Sequence, residues 1–253
     1  MFKITQSMKK FICILILISS ISFAQNAFEK GNQFYQKENY QEAIYNYESV
    51  LATGKQSAEL YFNLGNSYYK LHKVAPSIYN YEKALQLNPN DEEIKTNLDF
   101  ARKMSIDDIK IIPKVGFNKL ITDFTSSYQY NSWAWIAVVL SFVFLAFFVG
   151  YYFSGTTLKK RIFFTGMFVI LLGIVISFFS GIYERNRLEY EKPAIIFAET
   201  ASVKGEPKPT SAETILLHEG TKVYILESIA NWKKIQLTDE TTGWIESESI
   251  KEL

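Results

Sequence analysis

Two long apolar segments, separated by a short basic linker, constrain this chain more than any other feature. Residues 133–153 and 163–183 contain no Asp, Glu, Lys or Arg. A helix of about 20 apolar residues is long enough to cross a hydrocarbon core of about 30 Å. Two buried helices of a soluble protein are the alternative. The sequence predicts two transmembrane helices joined by a cytoplasmic loop at residues 154–162, so the segments before and after this hairpin lie on one side of a bilayer.

The orientation of the hairpin follows from the loop and from the N-terminus. The loop carries the basic cluster at residues 159–161, which the positive-inside rule assigns to the cytoplasm. Residues 1–24 have Lys9 and Lys10, then a short apolar core and small residues before Gln25, which is typical of a secretory signal peptide. We expect cleavage after Ala24, with an uncleaved anchor as the alternative. The two features together predict an inner-membrane protein whose N- and C-terminal domains are periplasmic.

An internal repeat precedes the membrane segments. Residues 43–51 read AIYNYESVL and residues 77–85 read SIYNYEKAL, an offset of 34 residues. This period is the signature of the tetratricopeptide repeat, a pair of antiparallel helices A and B. We assign residues 25–105 to two such repeats, at 24–57 and 58–91, followed by a capping helix. Because so short an array buries little surface alone, we expect it to lean on the membrane-proximal region, another domain or a partner.

The helix A side chains of such an array line a concave groove that binds peptides. Asn side chains there can hydrogen-bond an extended backbone, and Phe side chains can hold an apolar anchor. The alternative is a solvated or self-packed face. Some similar repeats clamp a C-terminal carboxylate with cations, but Phe28 and Glu93 stand at those positions here, which disfavours that ligand. The candidate groove residues are Phe28, Asn32, Gln36, Phe62, Asn66 and Lys70.

Residues 106–132 connect the repeats to the bilayer. Phe117, Leu120, Ile121 and Phe124 recur at the spacing of one helical face. The pattern predicts a short amphipathic helix at the lipid headgroups, so membrane lipid is an expected partner. A soluble helix packed on the repeats is the alternative.

The C-terminal residues 193–253 alternate short apolar segments with Gly and Pro turns. They predict five or six strands in a small all-β barrel. The motifs HEGTKVYIL, NWKKIQL and TGWI resemble the bacterial SH3-like domain. Tyr224, Trp232 and Trp244 are candidates for an aromatic peptide-binding surface, with core filling as the alternative. The predicted fold class is multidomain: an all-α tetratricopeptide array, an α-helical transmembrane hairpin and an all-β SH3-like barrel.

Side chains that could carry catalysis are scarce. The two histidines, His72 and His218, fall in different predicted domains, and the single cysteine, Cys13, lies in the predicted signal peptide. Carboxylate pairs such as Asp107 and Asp108 have the pattern of exposed charges. We therefore expect neither enzymatic activity nor a cofactor or metal site. The net charge of +1 gives no basis for binding nucleic acid.

The order of these modules, with LHEGTKV and GWI near the C-terminus, resembles the BatE type of the Bacteroides aerotolerance membrane proteins. The resemblance implies two kinds of partner: inner-membrane proteins that carry von Willebrand A-type domains, and a MoxR-type ATPase. It also implies a role in oxygen or stress tolerance. From the residues alone we expect a non-enzymatic scaffold that displays two protein-binding modules. The alternative is a cell-envelope sensor or anchor whose SH3-like domain binds peptidoglycan peptides.

Overall fold

The repeats form an array of antiparallel helices. A computed structural model describes residues 26–109 and 116–253, so the predicted signal peptide lies outside the described residues. The helices of the array are α1 (residues 26–36), α2 (Tyr40–Ala52), α3 (Ala58–Lys70), α4 (Val74–Leu87) and α5 (Glu92–Arg102).

Helix α5, predicted as a capping helix, continues the 34-residue period. Its buried Ile94 and Leu98 stand 34 residues after the buried Leu60 and Leu64 of α3. Its N-cap is Asp91, whose carboxylate accepts hydrogen bonds from two backbone N–H groups of the first turn. The array therefore consists of two complete repeats and helix A of a third.

A glycine in helix A of each of the two complete repeats lets its two helices pack closely. A methyl group added at Gly31 would lie 2.4 Å from the Tyr47 ring, and one added at Gly65 would lie 2.6 Å from the Tyr81 ring. Both tyrosines are about 1% exposed. The repeated glycines and tyrosines are thus paired in space, and larger side chains at the glycines would displace the rings.

The membrane-proximal part contains helices α6 (Phe117–Thr125), α7 (Tyr130–Phe153) and α8 (Thr157–Tyr190). The predicted loop at residues 154–162 is shorter than expected, since α8 already begins at Thr157. The basic residues 159–161 therefore lie on the first turns of α8. No Gly or Pro follows Gly155 in this segment, so the strongest helix breakers are absent from it.

Among the described residues, α7 and α8 are the two helices long and apolar enough to cross a membrane. In their most apolar stretches, 0% of the residues of α7 and 6% of those of α8 are buried. They pack on each other through close contacts such as Gly166 against Phe147. Their outward side chains, Phe142 and Phe168 among them, remain exposed. An exposed apolar surface of this extent is typical of a membrane or protein interaction surface.

The C-terminal region is an antiparallel sheet, which in the described part of the chain has seven strands in the order β3-β2-β6-β5-β4-β1-β7. Side chains from all seven strands meet in one apolar core, so the sheet curls around it. The strands are β1 (Lys192–Ile196), β2 (Thr200–Lys204), β3 (Glu213–His218), β4 (Lys222–Ile229), β5 (Trp232–Gln236), β6 (Thr242–Glu246) and β7 (Ile250–Glu252).

The strand count exceeds the predicted five or six because the segment AIIFAETASV forms two strands. Strand β1 ends at Ile196 and pairs with β4 and β7, whereas β2 begins at Thr200 and pairs with β3 and β6. Between them Phe197 and Ala198 donate backbone hydrogen bonds to the carbonyl of Ser249. Strands β3 and β7 form the two edges of the sheet and do not pair with each other, so the sheet is open. The predicted fold class, helical repeats with apolar helices and an all-β region, is confirmed.

The contact between Gly65 and Tyr81 predicts that Gly65→Ala destabilises the fold, whereas helix propensity alone predicts that it stabilises the fold. Ala is favoured over Gly in a helix by about 1 kcal/mol, but overpacking a filled contact costs about 1–3 kcal/mol. We expect Gly65→Ala to lower the free energy of unfolding of the full chain, measured by denaturant titration with circular dichroism. Gly155→Ala is the control, since nothing lies within 4 Å of its added methyl group. A more stable Gly65→Ala variant would contradict the packing role of Gly65.

Candidate functional site

The structure brings the predicted groove residues together on neighbouring A helices. Phe28, Asn32 and Gln36 recur every four residues along α1, as do Phe62, Asn66 and Lys70 along α3. This spacing places each trio on one helical face. Gln36 and Lys70 are exposed, whereas the two Phe and two Asn residues are partly buried. The six residues therefore differ in what they can offer a ligand.

The two asparagines form hydrogen bonds within the array. The Asn32 Oδ1 atom accepts from the Tyr47 hydroxyl at 2.7 Å and from Asn63 Nδ2 at 3.1 Å. Thirty-four residues later, Asn66 Oδ1 accepts from the Tyr81 hydroxyl at 2.6 Å and from Asn97 Nδ2 at 3.0 Å. Each asparagine thus joins helix B of its own repeat to helix A of the next. No hydrogen bond from its own amide N–H groups is seen within residues 26–109 and 116–253, so these groups can donate to a ligand.

The aromatic groove residues lie against the same tyrosines. The ring centroids of Phe28 and Tyr47 are 5.7 Å apart, and those of Phe62 and Tyr81 are 5.9 Å apart. Burial raises the pKa of Tyr47 and of Tyr81 well above the ordinary value. Both hydroxyls therefore stay protonated at neutral pH and can donate to the asparagines.

Sequence reasoning missed an aromatic residue at the α5 end of this face. Phe100 stands 34 residues after Asn66 and is 49% exposed. The Nζ atom of Lys103 lies 5.3 Å from its ring centroid. Extending the repeat period by one more helix would have found it. The open groove thus presents Gln36, Lys70 and Phe100.

The sheet packs against the array at α4. Ile195 of β1 is fully buried in the apolar cluster that contains Ile78 and Tyr81 of α4. The rings of Tyr79 and Phe197 make an edge-to-face contact at 5.6 Å. Gly220, with a φ of +91°, packs so closely that an added methyl group would lie 2.9 Å from Ile78. The array thus leans on another domain, one of the three predicted possibilities.

A buried carboxylate joins three elements at this interface. Glu82 of α4 accepts from Arg102 Nη2 of α5 at 2.8 Å and from Lys222 Nζ of β4 at 2.7 Å. Burial alone would raise the pKa of Glu82, but Lys222 and Arg102 outweigh it and lower the pKa. The carboxylate is therefore charged and paired, which a buried charge requires.

A second carboxylate, Asp107, fixes the segment after α5 to the turn between β3 and β4. It accepts from the backbone N–H of His218 at 2.7 Å and from the Thr221 hydroxyl at 2.6 Å, and His218 Nδ1 is also 2.7 Å away. These hydrogen bonds outweigh the effect of burial and lower the pKa of Asp107. The prediction of an exposed charge was wrong for Asp107. In both stretches that the structure describes, no third metal-ligating side chain joins this pair.

The array also contacts the membrane-proximal segment. Asn90 Nδ2 donates to the carbonyl of Ser127, and Gln129 Nε2 donates to the carbonyl of Gln86, each at 2.7 Å. Ser127 and Gln129 lie between α6 and α7. These two hydrogen bonds connect the array to the segment that leads into the apolar hairpin.

The second predicted site, on the sheet, is largely internal. Trp232 and Trp244 are each 8% exposed. Tyr224 is partly exposed, and the Nζ atom of Lys222 lies 6.0 Å from its ring centroid. A peptide-binding role for these three residues stays a prediction, and little of the two indoles is accessible to a ligand.

Comparison with known families identifies the repeats. Residues 31–71 match the family model for the TPR repeat, and residues 58–91 match that for the tetratricopeptide repeat. A comparison with curated proteins finds no match. The helical array is thus built of tetratricopeptide repeats, whose stacked helices form extended binding surfaces for other proteins.

The two interface carboxylates predict a pH dependence. Because their folded-state pKa values are lowered, their stabilising effect is complete above the ordinary pKa of about 4 and is lost as the pH falls through the lowered values. We expect acidification below about pH 4 to loosen α4 from β4. Hydrogen exchange of the full chain, corrected for its intrinsic pH dependence, would measure the loss of protection.

Glu82→Gln should loosen the same contact at neutral pH, because it leaves Lys222 without its buried counter-charge. Glu93→Gln, at an exposed position of α5, is the matched control. Unchanged protection of α4 and β4 in Glu82→Gln would show that the ion cluster does not hold the interface.

Proposed function

We propose that this protein is a non-enzymatic scaffold of the inner membrane that assembles a membrane complex on the periplasmic side. One observation carries the proposal: the sheet covers one side of the array through Glu82 and Lys222, while the groove face with Gln36 and Lys70 stays open. A repeat array that is docked on the sheet and keeps its groove exposed can bind partner proteins. Such binding requires no chemical step.

The contact between the repeats and the sheet supports a two-pass topology. The repeats precede α7 and the sheet follows α8, yet the two are in contact through Glu82, Asp107 and Tyr79. Both must then lie on one side of any bilayer that the hairpin crosses. Residues 159–161 supply three positive charges at the opposite end of the hairpin. This arrangement, with the predicted signal peptide, supports a periplasmic location for both modules.

The proposed partners are membrane proteins of the same complex. The order of modules resembles BatE-type aerotolerance proteins, and this resemblance supports partners with von Willebrand A-type domains and a role in oxygen or stress tolerance. The groove offers an amide, an ammonium group and an exposed ring, at Gln36, Lys70 and Phe100. A protein segment with an apolar anchor beside an acidic or polar group would complement these groups.

The alternative, an envelope anchor that binds peptidoglycan peptides through an SH3-like sheet, has less support. It relies on Tyr224, Trp232 and Trp244, and both indoles are nearly buried. The exposed polar groups of the repeat groove require no rearrangement to meet a ligand. The proposal therefore places the binding surface on the repeats.

The topology can be tested with cysteines, since the chain has only Cys13, which is replaced by Ser in the parent variant. We expect a membrane-impermeant thiol reagent to label Gln41→Cys in the repeats and Lys208→Cys, in the loop between β2 and β3, in intact spheroplasts. Lys159→Cys, at the turn of the hairpin, should react only after the membrane is permeabilised. Labelling of only one of the two domains would contradict the shared compartment.

The groove can be tested by charge changes that spare the structural asparagines. We expect Gln36→Glu combined with Lys70→Glu to reduce recovery of membrane proteins crosslinked to the full chain in native membranes, measured by quantitative mass spectrometry. Both positions are exposed, so the fold should be unaffected.

The matched control combines Gln41→Glu with Lys30→Glu, which makes the same changes at exposed positions outside the groove. Lys30 lies two residues before Asn32 on α1, about 200° around the helix at about 100° per residue. Equal recovery with the groove variant and the control would show that the groove is not the binding surface.

A further inference from the structure

An apolar groove lies between the amphipathic helix α6 and the second apolar helix α8. Its volume is about 650 Å³, and its walls include Phe117, Leu120 and Phe124 from α6 and Val175, Phe179 and Ile182 from α8. The predicted apolar face of α6 thus turns toward α8. The alternative of a helix packed on the repeats is wrong for this face.

The two apolar faces do not fill the space between them. Phe117 is 74% exposed, Leu120 is 66% exposed and Phe179 is 63% exposed, although they face each other. The hydrophobic effect would favour closing such a gap in water, at about 25 cal/mol for each Å² removed from solvent. The groove is therefore suited to an apolar molecule that supplies the missing contacts.

The position of the groove along α8 indicates which molecule is available. Its α8 wall runs from Val175 to Tyr183, within the apolar segment that is long enough to cross a membrane. At a rise of 1.5 Å per residue, Val175 lies about 12 Å deeper than Tyr183. The hydroxyls of Thr122 and Tyr183 are 3.4 Å apart and join the two helices at the shallow end. The groove thus opens at the depth of lipid acyl chains.

We propose that this groove binds one acyl chain of a bilayer phospholipid, with the headgroup beside Thr122 and Tyr183. The chain lies along the apolar walls and contacts Leu120 and Val175. Lys119, exposed and next to Leu120 on α6, supplies a positive charge near the phosphate. The bound lipid fixes α6 beside α8 in the outer leaflet. The inference relies on the part of the proposed function that places the hairpin in a bilayer.

A photoreactive lipid tests the site directly. The full chain is placed in nanodiscs of phosphatidylethanolamine and phosphatidylglycerol, with a small fraction of phosphatidylethanolamine that carries a diazirine in one acyl chain. We expect crosslinks on α6 at residues 117–125 and on α8 at residues 175–183. Val175→Trp should fill the groove and remove most crosslinks to α6.

The matched control is Val169→Trp, since Val169 is 66% exposed on α8 and does not line the groove. Leu120→Glu is a second groove variant, which places a charge where the chain would lie and should cause the same loss. Circular dichroism of each variant checks that the helices are retained.

Crosslinks to Phe142 on the outer surface of α7 report bilayer insertion separately from the groove. Labelled Phe142 with unlabelled α6, or full α6 labelling in Val175→Trp and Leu120→Glu, would overturn the lipid site and leave the hairpin intact. Absence of labelling at Phe142 as well would overturn the membrane location and the lipid site together. Replacing Phe117 with benzoylphenylalanine and capturing protein in place of lipid would show that a protein segment fills the groove.

Discussion

Helix α4 is the element on which the arrangement of the molecule depends, because it belongs to two cores at once. It packs against α3 and α5 within the repeats and against β1 of the sheet. Glu82 of α4 forms ion pairs with Arg102 of α5 and with Lys222 of β4. Removing one partner from a buried ion pair costs about 3–5 kcal/mol, since the remaining charge stays buried. The docking of the two modules is therefore specific as well as hydrophobic.

The same docking explains how so short an array is stable. Two and a half repeats bury less apolar surface than a long solenoid, in which each repeat is covered by its neighbours. Here Ile195 and Phe197 of the sheet supply contacts to α4 that further repeats would otherwise provide. The apolar hairpin lies between the two modules in sequence, so their contact closes the chain into a loop. The repeats, the sheet and the hairpin are thereby held in one arrangement.

The features that sequence reasoning predicted are those set by local periodicity. The 34-residue offset predicted the helices of the repeats, and the two uncharged segments predicted α7 and α8. The interface between the repeats and the sheet could not be predicted from local patterns, because its contacts join residues far apart in the chain. His218 is 111 residues from Asp107, and Lys222 is 140 residues from Glu82. A carboxylate of this kind has the same local pattern as a solvated one, which is why Asp107 was assigned to the surface.

In the groove, the residues that repeat exactly are not the ones expected to select a ligand. Asn32 and Asn66 occupy equivalent positions in the repeat, and the Oδ1 atom of each accepts from a tyrosine hydroxyl and from an asparagine of the next helix A. A residue that repeats because it holds neighbouring helices together cannot distinguish one ligand from another. Positions where the repeats differ are free of that constraint. Gln36 becomes Lys70 one repeat later, and Asn66 becomes Phe100, so the identity of the ligand is expected to depend on these departures from the repeat.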